Sequence, residues 1–528
     1  MPARRSTTLV AVAATSAVLL AAAAGSPAHA ADEPASRVAN PGFEATGGDQ
    51  PANWSERGDR AAAYVEAGGR TGAQRLTHHS PTAYRVETRQ AVAGLSRGTY
   101  TLRAAVRSSG GQRAAYLSLA GCGGPEARVD IPRTGDEWWV EIAVSTRVTA
   151  RHACTVRIVS DAPAGAWINV DDVSLVASDG SAGAPVAIRG ADLSHLPKNE
   201  HFGAVYRDAG NARRDAVQIL ARNGVNYARL KVWVDPADGW NDKADVLAMA
   251  KRARAAGMQV LVDFHYSDAW ADPGKQNKPA AWAALPFDQL RQAVYDHTYD
   301  VLSALRRQGT PAAMAQVGNE INGGMLWPDG RWDNWDGLAA LLTAGSTAVR
   351  AASPGTKVVL HLAEGGNNSG HRWWFDQATS RGVPFDIIGV SHYVYWHGPL
   401  GYLQHNLMDL TARYGKPVMV VETAYGFTTA ENDHETNIFN PALATAGGYP
   451  ATPAGQAEAV RDMFTTVAAV PGALGVFYWE PTWTAVEGAG WDPADPASGD
   501  GWENQALFDY SGRALPALQV FARFGRTA

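Results

Sequence analysis

The sequence predicts a multidomain protein in which an N-terminal all-β sandwich precedes a (β/α)8 TIM barrel. Two patterns along the 528 residues indicate this order. Between residues 38 and 176, short stretches of alternating polar and apolar residues are separated by Gly, Ser and Pro, which is typical of an antiparallel sandwich. From residue 186 to the end, apolar strands alternate with helical stretches, which is typical of a barrel of parallel strands.

The first 30 residues have the order of a secretory signal peptide. Arg4 and Arg5 form a basic patch, an apolar run extends from Thr8 to Ala24, and Ala28-His29-Ala30 supplies a small-residue cleavage site. A membrane anchor is the alternative, but the run is rich in alanine and shorter than the ~20 strongly apolar residues of a membrane span. We therefore expect a secreted, extracellular protein with no membrane partner.

Charge and cysteine content restrict the partners and the compartment. The net charge is −6, with 46 basic and 52 acidic residues spread along the chain, so we expect no nucleic-acid partner. We also expect a monomer. The two cysteines, Cys122 and Cys154, predict one structural disulfide in an oxidising compartment. Two buried free thiols are the alternative, and a lone pair is too few for a cysteine zinc site.

The predicted sandwich spans residues 38–176. Its alternating stretches include those from Tyr100 to Val106 and from Trp138 to Val144. Residues 177–185 are small and have nothing to bury, so we interpret them as a domain linker.

The barrel prediction for residues 186–528 depends on eight strand-and-helix units. The strands are predicted at residues 186–192, 227–233, 260–265, 314–320, 357–362, 387–391, 418–422 and 474–479. One clear helical stretch runs from Asp242 to Ala256. A doubly wound open sheet is the alternative, but no Gly-rich phosphate loop follows the first strand.

Polar residues gather where the predicted strands end, which is where active sites of such barrels form. They are Asp192, Arg229, Asp263, His265, Asn319, Glu320, His361, Ser391, His392, Glu422, Trp479 and Glu480. Glu320 follows the fourth strand and Glu422 ends the seventh, so the two carboxyls face each other across the barrel mouth. Glycoside hydrolysis needs such a pair, about 5 to 5.5 Å apart in a retaining enzyme. Strand-end glutamates in ordinary salt bridges are the alternative.

The two carboxyls need different environments. Glu320 has to hold its proton until it donates, so burial or a neighbouring negative charge should raise its pKa. Glu422 has to be ionised, with hydrogen-bond donors such as Arg229 and Tyr393 beside it.

Six blocks of the predicted barrel carry a family resemblance. They are Gly190-Ala191-Asp192, Arg229 to Trp233, Asp263 to Gln276, Gln316 to Asn322, Val421 to Tyr425, and Gly475 to Pro481. From Gly190 onward the chain resembles glycoside hydrolase family 53, the arabinogalactan endo-β-1,4-galactanases of clan A. The block DFHYSDxWADPGKQ at residues 263–276 is the most specific of the six.

The resemblance implies hydrolysis of β-1,4-galactan or type I arabinogalactan by double displacement, without a catalytic cofactor. It implies that Glu320 is the acid/base and Glu422 the nucleophile. Asn319 then matches the partner of the sugar 2-hydroxyl, and Arg229 and Tyr393 match supports of the nucleophile. The substrate-binding residues expected on this basis are Asn319, Arg229, Asp263, His265, Tyr393, Trp396 and Trp479; Trp327 and Trp483 are further stacking candidates. Departures from the family pattern at Val234, His392 and Val394 concern the sugar subsites.

Two kinds of metal site come into consideration in the barrel. Asp263 and His265 have metal-ligating side chains, but we interpret them as hydrogen-bonding groups around sugar hydroxyls. The acidic stretch that contains Glu431, Asp433, Glu435 and Asn437 resembles a calcium loop of bacterial family members, with Glu435 where those carry His. A solvated acidic loop is the alternative.

The ends of the sandwich, Asn40 to Glu44 and Trp167 to Leu175, resemble those of jelly-roll carbohydrate-binding modules. In such modules an opening Glu and a closing Asp hold a structural calcium, so the resemblance assigns that role to Glu44 and Asp172. The candidate sugar contacts are Trp54, Tyr84, Arg85 and Trp138. A structural or cell-wall-docking domain is the alternative.

Two other functions compete with galactan hydrolysis. One is a clan A hydrolase that acts on mannan or cellulose, and the block at residues 263–276 disfavours it. The other is an inactive polysaccharide-binding protein, which would require the loss of one of the two carboxyls.

Overall fold

The structure is a computed structural model that describes residues 36–47, 50–149, 152–178 and 186–525. The predicted signal peptide lies outside these residues, and so does most of the predicted linker. Residues 36–528 form one compact unit. In the described ranges, no helix has both the length and the apolar character needed to cross a bilayer.

The N-terminal domain consists of two antiparallel sheets. Its strands are β1 (Ser55–Gly58), β2 (Ala63–Ala67), β3 (Gln74–His79), β4 (Tyr84–Leu95), β5 (Gly98–Ser108), β6 (Ala114–Ala120), β7 (Ala127–Asp130), β8 (Gly135–Val148), β9 (His152–Ala162) and β10 (Trp167–Ala177). One sheet has the order β1-β4-β9-β6-β7 and the other the order β2-β3-β10-β5-β8. Side chains of both sheets, among them Leu117 and Val140, meet in one apolar core. The predicted all-β sandwich is therefore confirmed.

The structure confirms one prediction for the sandwich, the disulfide, and contradicts another, that Trp54 and Tyr84 contact sugar. Cys122 and Cys154 are joined by a disulfide, as predicted. Trp54 and Tyr84 were candidate sugar contacts, but they are only 8% and 3% exposed. Both pack inside the domain, and the Tyr84 hydroxyl donates to the backbone oxygen of His78 at 2.9 Å. The sugar-contact prediction is therefore wrong for these two residues.

A closed barrel of eight parallel strands forms the second domain, in the order β11-β12-β13-β14-β17-β18-β19-β20. The strands of this domain are β11 (Ile188–Asp192), β12 (Tyr227–Val232), β13 (Gln259–Phe264), β14 (Met314–Val317), the short pair β15 (Gly324–Met325) and β16 (Gly330–Arg331), β17 (Lys357–Leu362), β18 (Ile387–Ser391), β19 (Val418–Glu422) and β20 (Ala473–Tyr478). The predicted TIM barrel is confirmed. We call the end at which these parallel strands finish the mouth.

Helices surround the barrel. They are α1 (Leu196–His201), α2 (Ala216–Arg222), α3 (Lys243–Ala255), α4 (Phe287–Arg307), α5 (Trp335–Ala352), α6 (Asn368–Ser380), α7 (Val394–His397), α8 (Leu400–Tyr414), α9 (Pro441–Gly447), α10 (Pro453–Ala468) and α11 (Leu518–Arg523). Helix α3 starts after Asp242, whose side chain caps it by accepting from the backbone N–H of Asp245. Inside the barrel, Leu261, Val359 and Phe477 fill the axis with apolar side chains.

The fourth barrel strand is shorter than predicted. It ends at Val317, so Asn319 and Glu320 lie beyond it. Gly318 has φ +91°, and a Cβ there would lie 2.5 Å from the side chain of Ile321. Glu320 itself is left-handed, with φ 48°. A glycine is therefore required at this bend, which turns the chain over the mouth.

Candidate functional site

One cleft opens at the mouth of the barrel, with a volume of about 680 Å³. It brings together nine of the residues predicted for the site: His265, Asn319, Glu320, Tyr393, Trp396, Glu422, Glu435, Trp479 and Trp483. Its wall also contains Trp270, Asp272, Glu364, His397, Trp491 and Trp502. Both predicted catalytic carboxyls therefore belong to the same cavity.

Glu422 is the last residue of β19, and it is held by two donors. Its Oε1 lies 2.7 Å from Nη2 of Arg229, and its Oε2 accepts a hydrogen bond from the Tyr393 hydroxyl at 3.0 Å. Its side chain is 7% exposed. Burial and the nearby Glu422 raise the pKa of Tyr393 well above its usual value, so this hydroxyl stays protonated as a donor. Both donors stabilise the ionised form of Glu422.

Arg229 lies beneath the cleft and connects three carboxylates. Besides Glu422, it contacts Asp192 at 2.7 Å and Asp263 at 2.8 Å. Although burial alone would raise the pKa of Asp263, Arg229 holds it below its usual range. Arg229 and Asp263 were expected among the substrate-binding residues, but they do not line the cleft. Arg229 and Asp263 are buried beneath the cleft, where their opposite charges compensate each other, and they support the residues that line it.

Asn319 links this buried network to the cleft surface. Its Oδ1 accepts from Nη2 of Arg229 at 2.9 Å, and its Nδ2 donates to the backbone oxygen of Ala271 at 2.8 Å. Nδ2 carries a second N–H, which leaves one donor for a ligand in the cleft. His265 is fixed in a similar way, since its Nε2 lies 2.9 Å from Asp263 Oδ2.

The proton affinities of the two carboxyls differ in the predicted direction. Burial, and then the negative charge of Glu422, raise the pKa of Glu320 to about 8. Burial also raises the pKa of Glu422, to about 7, and the rise is smaller because Arg229 opposes it. When the pair carries a single proton, these interactions therefore favour the proton on Glu320 and the charge on Glu422.

An aromatic wall faces the carboxyls. The rings of Trp270 and Trp483 are stacked with centroids 5.6 Å apart, and Trp479 meets Trp502 edge to face at 4.6 Å. Lys231 lies behind this wall, with Nζ 4.0 Å from the centroid of Trp270 and 3.1 Å from Glu480. The wall is thus a rigid apolar surface with a buried cation beneath it.

Comparison with known proteins agrees with this geometry. Residues 188–521 match the model of glycosyl hydrolase family 53. This chain belongs to glycosyl hydrolase family 53. It is therefore a glycoside hydrolase, and the matched residues coincide with the barrel.

Named relatives of this family 53 hydrolase include bacterial and fungal enzymes. An endo-β-1,4-galactanase of Bacillus subtilis is 37% identical over 369 residues, which covers 63% of this chain and 85% of the relative. An arabinogalactan endo-β-1,4-galactanase of Thermothelomyces thermophilus is 34% identical over 346 residues, covering 63% and 98%. The solved family 53 catalytic domain of Ignisphaera aggregans is 43% identical, with a TM-score of 0.62, and covers 65% of this chain and 96% of its own.

Several wall residues of the family 53 hydrolase were not predicted as site residues. Trp491, Gly501 and Trp502 come from the long segment after β20, and Glu364 follows β17. These segments have no periodic apolar pattern. In the sequence, only their Trp residues could have indicated that they contribute to the site. Conversely, Trp327 was a stacking candidate, but its Nε1 donates to Gly323 O at 2.8 Å and it is not part of the cleft wall.

Two of the four predicted calcium ligands of the barrel, Glu431 and Asp433, accept hydrogen bonds from backbone amides. Within the described residues, no group of three or more His, Cys, Asp or Glu side chains is placed to hold a metal ion. Glu431 Oε2 accepts from Asn437 N at 2.9 Å, and Asp433 Oδ1 accepts from Glu435 N at 2.8 Å. Calcium at this loop stays a prediction.

The second predicted calcium site, in the sandwich, has similar contacts. Glu44 Oε1 accepts from the backbone N–H groups of Ala73 and Gln74, both at 3.0 Å. Asp172 Oδ2 lies 3.3 Å from the guanidinium of Arg70. Both predicted ligands therefore face the loop between β2 and β3, where calcium also stays a prediction.

Proposed function

We propose that this hydrolase is a secreted, retaining endo-β-1,4-galactanase. The observation that carries the proposal is that Glu320 and Glu422 line one cleft, where Arg229 and Tyr393 hold Glu422 while burial raises the pKa of Glu320. Retaining glycosidases need this combination of one acid and one nucleophilic carboxylate. The two named relatives supply the substrate, since both are called galactanases. The disulfide supports an oxidising, extracellular compartment.

The first half of the proposed reaction forms a covalent intermediate. A carboxylate oxygen of Glu422 attacks the anomeric carbon, and the bond between that carbon and the leaving oxygen breaks. Glu320 transfers its proton to the leaving oxygen as the bond breaks. In this scheme the free N–H of Asn319 donates to the 2-hydroxyl of the reacting sugar. Arg229 and Tyr393 hold Glu422 in position for the attack.

The second half releases the sugar. Glu320, now ionised, takes a proton from a water molecule, and the water oxygen attacks the anomeric carbon. The ester bond to Glu422 breaks and the carboxylate is restored. Because each half inverts the anomeric carbon once, the product keeps the β configuration.

Galactan should be cleaved in preference to other β-1,4-linked polymers. Protein recovered from culture medium, expected to begin at Ala31, is incubated with linear β-1,4-galactan, mannan and carboxymethylcellulose. We expect a mixture of galacto-oligosaccharides from galactan alone, with β-anomers first in the NMR spectrum. Faster cleavage of mannan or cellulose would favour another clan A hydrolase, and no cleavage of any polymer would favour a binding protein.

We also propose that calcium binds between the loops that follow β19 and β20. In the described part of the chain, Asp500 Oδ2 and Asn437 Oδ1 are buried without a hydrogen-bond partner. Asp433 Oδ2 accepts from the backbone N–H of Asp500 at 2.8 Å, so the two loops meet here. Burial and the carboxylates of Glu503 and Asp433 raise the pKa of Asp500 well above its usual range. Oxygen donors of this kind fit a hard divalent cation, whose role would be structural.

Calcium should therefore stabilise the fold. At about 100 times its dissociation constant, an ion that binds only the folded state adds about 2.7 kcal/mol to the free energy of unfolding. We expect excess EDTA to lower Tm and added calcium to restore it, and Asp500→Asn to remove this response. Asp495→Asn, on an exposed part of the same loop, should keep it. Equal Tm values in EDTA and in calcium would contradict the site.

A further inference from the structure

Strand β8 and the residues just before it hold the sandwich against the barrel through specific contacts. Gln404 of α8 pairs with the backbone of Glu141: its Oε1 accepts from N at 2.7 Å, and its Nε2 donates to O at 2.8 Å. The backbone N–H of Arg133 donates at 2.7 Å to Asp462, a fully buried carboxylate of α10. Because these bonds satisfy buried polar groups, the sandwich is in a defined position on the barrel.

Trp138, near the start of β8, lies at the mouth end of the barrel. Helix α8 follows β18 through α7, so its first turn is at the end where the strands finish. Trp138 contacts this first turn: its ring centroid is 4.6 Å from that of Tyr402. A Cβ built on Gly401 would lie only 2.6 Å from Trp138 Cβ. Trp138 is thus next to the mouth rather than near the base of the barrel.

Tyr402 connects Trp138 to the wall of the cleft. A Cβ at Gly398 would lie 2.8 Å from the ring of Tyr402, and one at Gly366 would lie 3.1 Å from Tyr402 Cβ and 2.4 Å from His397 O. His397 lines the cleft. Tyr402 therefore lies between Trp138 of the sandwich and the segment that carries His397.

Trp138 keeps 36% of its surface exposed, whereas Trp54 and Tyr84 of the same domain are buried. Indole rings bind the C–H faces of sugar rings, and an exposed indole beside a polysaccharide cleft offers such a face. We propose that Trp138 is a distal sugar-binding platform for the part of a long galactan chain that leaves the cleft past His397. This inference rests on the proposed galactanase function and assigns the sandwich a direct role in binding the polymer.

Substitution of Trp138 should lower activity on long substrates and leave activity on short substrates unchanged. In the full-length enzyme, we expect Trp138→Ala to lower kcat/KM on linear β-1,4-galactan by about two- to tenfold, the loss expected for one aromatic contact. On β-1,4-galactotetraose, chosen to occupy the cleft without reaching the platform, kcat/KM should not change. Trp138→Phe, which keeps a ring against Tyr402, should give a smaller loss on the polymer and the wild-type Tm.

Two other exposed tryptophans are matched controls. Trp332 and Trp373 are 47% and 45% exposed, and neither belongs to the cleft wall. Their Ala variants should match the wild type on both substrates. Three results would contradict a sugar-binding role of Trp138. They are an equal loss of kcat/KM on polymer and tetraose, an equal loss in the control variants, and unchanged kinetics of Trp138→Ala. Wild-type enzyme that does not cleave galactan would instead overturn the proposed function.

Discussion

Glu422→Ala should lower kcat on β-1,4-galactan by about 10⁴-fold or more, the largest loss expected for any single side chain of this enzyme. The variant lacks the proposed nucleophile, and no other described cleft carboxyl is paired with Arg229. Sodium azide should partly restore turnover, since azide fits the space vacated by the carboxylate. The product would be an α-galactosyl azide, formed by a single inversion and detectable by NMR.

Glu364→Ala is the matched control for this experiment. Glu364 lies in the same cleft, but its carboxylate accepts from Asn367 at 2.9 Å rather than from Arg229. We expect this variant to stay within about tenfold of the wild type, and azide should not change its rate. Near-normal turnover of a folded Glu422→Ala enzyme, or a β-configured azide product, would contradict the assignment of the nucleophile.

The barrel and its two carboxyls could be predicted because their signals are local. Each parallel strand is an apolar run, and Glu422 ends such a run without interruption. The fourth strand was predicted to reach Glu320, but it ends at Val317 because Gly318 turns the chain. The pattern of apolar residues does not show where a strand ends and a bend begins. The positions of the two carboxyls were therefore predicted better than the end of the fourth strand.

The rest of the site depends on contacts between distant segments. The sequence indicated Arg229 as a support for Glu422, but its pairing with Asp192 and Asp263 follows from the register of three neighbouring strands. Trp502 enters the cleft from a segment without a repeating pattern. The contact between Trp138 and Tyr402 joins surfaces of two domains, which no local pattern specifies.

Charge around the cleft explains why the pKa of Glu320 is raised. Beneath the cleft, Arg229 contacts Asp192, Asp263 and Glu422, and Lys231 contacts Glu480. A charge on Glu320 would be desolvated and would lie near the charge of Glu422, so its ionisation is disfavoured. The proposed nucleophile thus also helps to keep the proposed acid protonated.

Glu320→Ala should lower kcat/KM on galactan by about 10²- to 10⁴-fold, the range expected for loss of a general acid. A galactoside with a 2,4-dinitrophenolate leaving group needs no protonation, so its first step should keep a near-wild-type rate. Azide should accelerate the second step and give a β-galactosyl azide, because two inversions have occurred. Equal slowing of the activated and the natural substrate would contradict the acid role.

The pH profile of kcat/KM provides an independent test of the same residue. Because the protonated form of Glu320 is the active one, wild-type activity should fall as pH rises through its pKa of about 8. On the acid side, activity should fall as Glu422 gains a proton and can no longer attack. In Glu320→Ala the alkaline fall should disappear, since no proton remains to be lost there, while the acid fall persists. An alkaline fall retained in this variant would assign it to another group, and Glu320 would not be the proton donor.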